Sequence, residues 1–343
     1  MATISLCMIV KNEEEVLARC LNSAKDAVDE IIIVDTGSTD STREIAQSFT
    51  DQVYSFDWID DFSAARNYSF SKAAMDYCMW LDADDVLEEP QRLAELKKEL
   101  TCQMVMMPYR VGGLTYYRER LIRRDGGMKW EGAVHEAISP VGEIIYSDIS
   151  VTHRKEKATD PDRNLRIYEK ELAAGKVLPP RDQFYYAREL TYHGKEAAAA
   201  EILEEMLQKG EGWLENLLEA CRLLGECRRK MGDPEKAKAA LLHSFSLAAP
   251  RAEICCDLGD LFFEKEDYFT AIFWYETAAQ RPRPDRSGGF VLPDRYGLYP
   301  ALQLCVCCYR IGEREKAMAW NEYAAAEQPD HPAVLFNRRF FQQ

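Results

Sequence analysis

The stretch of the chain with the most chemistry in it is WLDADDV, residues 80–86, where an apolar run stops abruptly at Asp82, Ala83, Asp84 and Asp85. Side chains two apart on a strand share a face, so Asp82 and Asp84 can converge. Converging carboxylates repel each other unless a positive charge lies between them. Mn2+ or Mg2+ carrying a diphosphate meets that need, because both ions prefer oxygen ligands. A solvated acidic turn would account for the same residues, and Asp-x-Asp alone does not separate the two readings. Asp35, in EIIIVDTGSTDST (residues 30–42), stands at a second strand end. Gly37 permits a tight turn, and Ser38, Thr39 and Asp40 can cap the helix that follows. Capping does not require Asp35, whose carboxylate can accept a hydrogen bond from a ring N–H or a ribose hydroxyl.

Carboxylates at strand ends need a sheet to carry them. ISLCMIV, EIIIVD, QVYSF, YCMWLD and MVMMPY are short, apolar and rich in β-branched, aromatic or sulfur-bearing residues. Between them, residues 13–28, 38–49, 63–76 and 90–100 show helical spacing or helix-start residues. This alternation predicts an α/β domain with a largely parallel sheet, whose strand C-termini face the ligand crevice. From about residue 160 the strand signals stop. Polar turns entering Ala-rich helices begin at Gly194, Gly232, Glu266 and Gly312, in steps of 38, 34 and 46 residues. This resembles a tetratricopeptide array with degenerate positions, and the longest step holds a Pro- and Gly-rich insertion, RPRPDRSGGFVLPDRYGLYP. An irregular helical bundle is the alternative. The expected domains are residues 1–158 and 159–343. Phe262, Phe263, Phe269, Phe273 and Trp274 are expected to stack repeat on repeat.

Composition narrows the function classes. The formal charge of −15 repels nucleic acid, and no polybasic cluster suggests a membrane surface. No apolar run approaches the roughly 18 residues that a membrane span needs. The N-terminus reads as a buried strand rather than a signal peptide. The eleven cysteines form no framework and point to reduced thiols in a cytoplasm. Cys305 and Cys308 share a helix face and read as small core residues.

IVKNEE, VDTGSTD, FSAARN and WLDADD occur in an order that resembles family 2 glycosyltransferases with the GT-A fold, over roughly residues 3–90. In style the chain is similar to bacterial enzymes with a helical-repeat tail, among them S-glycosyltransferases of ribosomally made peptides such as glycocins. The resemblance implies an α/β GT-A domain with a Rossmann-like mixed sheet, followed by an all-α repeat domain. It implies that Val10, Asn12 and Glu13 edge the nucleotide pocket, that Asp35 contacts a uracil, and that Ser38 and Ala83 line the same pocket. Arg66 of FSAARN would approach the diphosphate. Asp82 would face the ribose and metal, Asp84 would ligate Mn2+ or Mg2+, and His153 in SDISVTHRK would supply a third ligand. Thr36 departs from the family, many of whose members carry a second Asp there.

RLIRRDGGMKWEGAVHEAI, residues 120–138, resembles the segment beside the sugar. An inverting transfer needs a base for the acceptor's proton. Glu136 is the first candidate and Glu131 the second, with His135 orienting the acceptor or the metal. An amphipathic strand with solvated polar residues is the alternative. HEAIS lacks the second His of a zinc-protease helix. The absence of the Gln-x-x-Arg-Trp motif of processive synthases favours transfer of a single sugar. The expected reaction moves one hexose from a nucleotide sugar, such as UDP-glucose, to a cytosolic peptide, protein or saccharide. A lipid-linked or capsular acceptor is the alternative within the class, and an inactive repeat scaffold is the alternative outside it. The repeats would hold a peptide acceptor or pair two subunits in a homodimer.

Overall fold

β-branched and sulfur-bearing runs form strands and the Ala- and Leu-rich half forms helices in the computed structural model, which describes residues 1–156, 160–284 and 286–342. The chain divides into two compact units, residues 1–176 and 177–343. The boundary expected at 158/159 lies outside the described residues. The helix at Arg163–Ala173, assigned from the sequence to the second domain, groups with the first unit.

The first unit alternates β1 (Ile4–Val10), α1 (Leu17–Ala24), β2 (Glu30–Asp35), α2 (Thr42–Gln47), β3 (Val53–Ser55), α3 (Phe62–Lys72) and β4 (Tyr77–Trp80). Then come β5 (Asp85–Leu87), α4 (Gln91–Leu96), the hairpin of β6 (Met104–Val111) and β7 (Leu114–Arg123), β8 (Trp130–Glu131), β9 (Ala137–Ile138), β10 (Ile144–Tyr146), β11 (Val151–His153) and α5 (Arg163–Ala173). The main sheet runs β3-β2-β1-β4-β7-β6-β11-β5, with β10 also on β6, while β8 and β9 form a small separate ribbon. β3, β2, β1 and β4 are mutually parallel, and β7 enters antiparallel between β4 and β6. The sheet is therefore mixed, as a GT-A domain requires. The loops that follow β1, β2 and β4 leave along one edge, and those loops carry Asn12, Ser38 and Asp82.

The strands are held by alternation. Ile4, Leu6, Met8 and Val10 of β1 pack with Leu17 and Leu21 of α1 on one face. Cys7 packs with Ile32, Cys78 and the partly buried Phe70 on the other. All eleven cysteines are buried, and Cys305 and Cys308 pack with Ala317.

The second unit is helical: α6 (Pro180–Tyr192), α7 (Glu196–Lys209), α8 (Leu214–Lys230), α9 (Pro234–Leu247), α10 (Ala252–Glu264), α11 (Tyr268–Ala279), α12 (Leu298–Arg310), α13 (Arg314–Glu327) and α14 (Pro332–Phe341). Successive helices from α6 to α13 form pairs. The turn inside each pair passes through Gly194, Gly232, Glu266 or Gly312, with φ of 67, 78, 58 and 86°. Left-handed backbone explains the glycines, which mark the end of the first helix in each pair. Glu266 adopts it at a steric cost that glycine avoids. α10 and α11 approach closely at Gly259, where a Cβ would stand 2.6 Å from the Tyr275 ring.

Two aromatic residues depart from expectation. Phe269 and Phe273 are 74 and 59 % exposed rather than stacked between repeats. The buried face of α11 is Ala271, Tyr275 and Ala278, at helical spacing, and it turns these two phenylalanines outward. Phe262, Phe263 and Trp274 do pack against the core. No helix among the described residues is long and apolar enough to cross a membrane.

Candidate active site

The strand-end edge of the first unit is stapled before any ligand is considered. Asn12 takes a left-handed φ of 56°, which an Asn tolerates better than most residues. That turn lets its amide N–H donate to Ser38 Oγ at 3.0 Å, while its side-chain oxygen accepts from the Thr39 N–H at 2.7 Å. The Glu13 N–H donates to Thr42 Oγ1 at 2.6 Å, and the Thr36 N–H donates to the carbonyl of Val10 at 2.9 Å. The loops after β1 and β2 therefore form one surface. Asp35, 6 % exposed, accepts from the Ser38 N–H at 3.1 Å and lies 3.8 Å from Arg43. The structure brings Val10, Asn12, Glu13, Asp35 and Ser38 together. Ser38 supports Asn12, and the N-cap of α2 is Ser41 rather than any of Ser38, Thr39 and Asp40.

α3 sets the centre. Asp61 caps it by accepting from the Ala64 N–H, which fixes the first turn and with it Arg66. Arg66 is 6 % exposed, and its guanidinium lies 4.7 Å over the Trp80 ring and 4.9 Å over the Trp130 ring. Its Nε donates to Glu136 at 2.6 Å and its Nη2 donates to Asp82 at 2.7 Å. The next residue, Asn67, exchanges two 2.9 Å hydrogen bonds with the backbone of Trp130, fastening β8 to α3. Arg66, expected near a diphosphate, thus has both of these donors committed to carboxylates and holds Asp82 and Glu136 on one line. Burial works against the charged form of Asp82, but Arg66, Arg120 and Arg118 outweigh it and keep the carboxyl below the usual aspartate range.

Asp84 and His153 meet as anticipated, and the register explains why. β11 pairs antiparallel with β5, which sets His153 opposite Asp85. His153 Nδ1 lies 3.3 Å from Asp84 and 3.4 Å from Asp85. Asp84, Asp85 and His153 form a cluster with metal-ligand spacing. Asp82, expected as a ligand, is turned instead to Arg66, and Asp85 takes the third place. Hydrogen bonds to Asp84 and Asp85 push the imidazole pKa up to about 10, so without a cation a proton occupies this acidic corner. Two carboxylates and one imidazole suit Mn2+ well and Mg2+ less well, since Mg2+ favours an octahedral set of oxygens. The residues fit a divalent cation.

Several contacts here are not marked by any motif. Asp85 is fully buried, and the fully buried Arg120 donates to it at 3.0 Å. The Arg120 guanidinium stacks 3.8 Å over Trp80 and 4.5 Å over Tyr109. The Tyr109 hydroxyl donates to Asp85 at 2.9 Å and stands 3.0 Å from His153 Nδ1. No local signal singles out Arg120, one of three arginines in the LTYYRERLIR stretch that forms β7. Ala83 is buried behind this corner. Glu131 is exposed on β8. His135 sits in a left-handed turn of φ 53°, with Asn164 of α5 at 3.4 Å from its Nε2.

A mixed sheet whose strand-end edge carries an acidic, metal-suited corner is the arrangement expected of a GT-A glycosyltransferase domain. Residues 5–148 match the family described as Glycosyl transferase family 2. A TPR repeat-containing protein of Synechococcus elongatus is 31 % identical over 295 residues, which are 82 % of this chain and 67 % of that protein. The SPbeta prophage-derived glycosyltransferase SunS of Bacillus subtilis is 29 % identical over 227 residues, 60 % of this chain and 53 % of SunS. The lipopolysaccharide core biosynthesis glycosyltransferase LpsC of Rhizobium meliloti is 30 % identical over 159 residues, 41 % of this chain and 58 % of LpsC. The chain spans half to two thirds of the length of these relatives. Residues 5–148 are a glycosyltransferase family 2 domain, and helical repeats follow it.

Proposed function

We propose that the protein is an inverting, metal-dependent transferase that moves one hexose from a UDP sugar, such as UDP-glucose, to a peptide or protein side chain in the cytosol. The observation that carries this reading is the juxtaposition of two groups at one sheet edge: the Asp84–Asp85–His153 corner and the Asp82–Arg66–Glu136 line. Similarity to SunS, alongside the named core-saccharide enzyme LpsC, supports a sugar transferase, and the eleven unlinked thiols support a reducing compartment.

In this reading Asp35, Asn12 and Ser38 receive the base and ribose. Asp84, Asp85 and His153 would hold Mn2+ or Mg2+. When bound, the cation neutralises the charge that gathers on the diphosphate as the sugar–oxygen bond breaks. The acceptor attacks the anomeric carbon from the opposite face, and the bond to UDP breaks with its electron pair. The acceptor's proton passes to Glu136. Arg66 occupies one oxygen of Glu136, leaving the second for that proton and fixing its position. Exposed Glu131 is the second candidate, and His135 orients the acceptor.

Thermal shift against a panel of nucleotide sugars, with and without Mn2+, tests the donor site. Ligand at a hundred times its dissociation constant adds about 2.7 kcal/mol to apparent stability. A Mn2+-dependent shift with a UDP sugar is the expected result. No shift with any sugar would overturn the donor assignment. Comparing Glu136→Gln with Glu131→Gln for kcat then decides the base, because only the base variant should lose turnover while keeping donor affinity.

A further inference from the structure

The insertion between α11 and α12 is more than a connection. From Ser287 to Gly297 it runs along the first helices of the repeat pairs. The Phe290 ring lies 5.6 Å from the Phe184 ring and 6.3 Å from the Tyr185 ring, with the Arg188 guanidinium 4.5 Å over it, all on α6. At α8 the chain passes Trp213 and Glu215 through two glycines. A methyl group on Gly288 would touch the Trp213 ring at 3.4 Å, and one on Gly289 would run into the Glu215 side chain. At α10 the Leu292 N–H donates to Glu253 at 2.9 Å, and the Tyr296 hydroxyl donates to the other oxygen of Glu253 at 2.7 Å. Glu253 is only 5 % exposed. Arg295 stacks 3.8 Å over Tyr299 of α12 and faces Asp257 and Asp260 at 3.7 and 3.5 Å.

Closing a loop does not require an aromatic anchor, a buried carboxylate that takes a backbone N–H, and an acidic seat for a cation. Those are the devices by which a helical array holds an extended peptide: side-chain pockets at intervals, with main-chain bonds between them. Beside Arg295 a hollow of about 240 Å³ remains, lined by Arg222, Glu226, Arg229, Asp257 and Asp260. The seat is therefore wider than the one side chain now in it.

We propose that residues 287–297 are an internal ligand of the repeat array, and that the row α6–α8–α10–α12 is a peptide site. It accepts extended segments carrying an aromatic residue and, five positions on, an arginine followed by a tyrosine. Asp257 and Asp260 select for a cation at that second position and against acidic peptides. A partner segment of this chemistry reaches the row by displacing the strap, so the strap sets the threshold for binding. This proposal concerns the second unit alone and does not rest on the transferase reading.

The test uses a fluorescently labelled peptide of residues 286–298 added in trans to the full chain. A site already filled shows an affinity reduced by the fraction left open. The peptide should therefore bind a Phe290→Ala/Arg295→Ala protein about tenfold or more tightly than the wild type. A peptide carrying the same two substitutions should bind neither protein. Equal affinity for the two proteins, or binding by the substituted peptide, would overturn the proposal, as would no binding to either. If the double variant does not fold, hydrogen exchange on the wild type decides. Excess peptide should raise exchange at 287–297, and unchanged exchange there would refute an internal ligand.

Discussion

The two units bury charge by opposite means. In the first, the charges at the sheet edge take partners from distant points of the chain: Arg66 joins Asp82 and Glu136, and Arg120 joins Asp85. In the second, buried and half-buried charges find partners within a helix or on the adjacent pair, as Arg222 does with Glu219 and Asp257, and Arg251 with Glu215. A mixed sheet collects residues from many loops at one edge, which concentrates chemistry. A repeat array gives each pair only its neighbours, which spreads recognition along a row. The contrast predicts that single substitutions are costly at the sheet edge and milder among the repeats.

Arg66→Ala is the largest expected break. It leaves Asp82 and Glu136 without their shared partner and removes the guanidinium that packs on the Trp80 and Trp130 rings. Breaking a buried pair in this way costs about 3–5 kcal/mol. Chemical denaturation should show it, and a loss under 1 kcal/mol would mean that the two carboxylates do not depend on Arg66. Gly259→Ala tests the tightest helix contact in the second unit. Its new methyl group meets the Tyr275 ring, and overpacking of this kind costs about 1–3 kcal/mol. Both are read from denaturation midpoints, and the sheet-edge variant should lose more.

A smaller effect separates the units by pH. Burial, only partly offset by Arg222 and Arg295, raises the Asp257 pKa to about 6. The folded chain holds this proton more tightly than the unfolded chain does. The stabilisation is therefore complete below about pH 4, the ordinary aspartate value, and is lost as pH rises through about 6. The wild-type Tm should decline over that window relative to Asp257→Asn, which has no proton to lose. Parallel Tm curves for the two would remove Asp257 as the cause. The smallest effect belongs to Phe273→Ala. An exposed ring on α11 carries little packing, so stability should change by no more than about 0.5 kcal/mol.

Much of the sheet edge was legible because its signals are local. Asp35 and Asp84 stand where apolar runs end, and the order of the four motifs identified the domain. His153 was placed beside Asp84 by resemblance, and the β5–β11 register shows how the chain achieves it. Asp85 was visible in the acidic stretch, but its partners Tyr109 and Arg120 were not legible. Their meeting depends on β7 entering between β4 and β6, and strand order is not written in any one segment. The pairing of Arg66 with Glu136 was likewise not legible, since Glu136 lies far along the chain. Among the repeats, the turns were readable from left-handed glycines. The exposure of Phe269 and Phe273 was not, because α11 is apolar on several sides and composition does not say which face is covered. The insertion read as a loop because Pro and Gly marked it, while the seats for Phe290 and Arg295 are made by four separate helices.

The Asp84–His153 corner is proposed to serve sugar transfer through a divalent cation. This is tested most directly by measuring Mn2+-stimulated turnover of a UDP sugar by the wild type and by Asp84→Ala, each shown to be folded. Mn2+-dependent turnover is expected in the wild type, with a loss of about a hundredfold or more in the variant. Equal Mn2+-stimulated rates in the two proteins would contradict it.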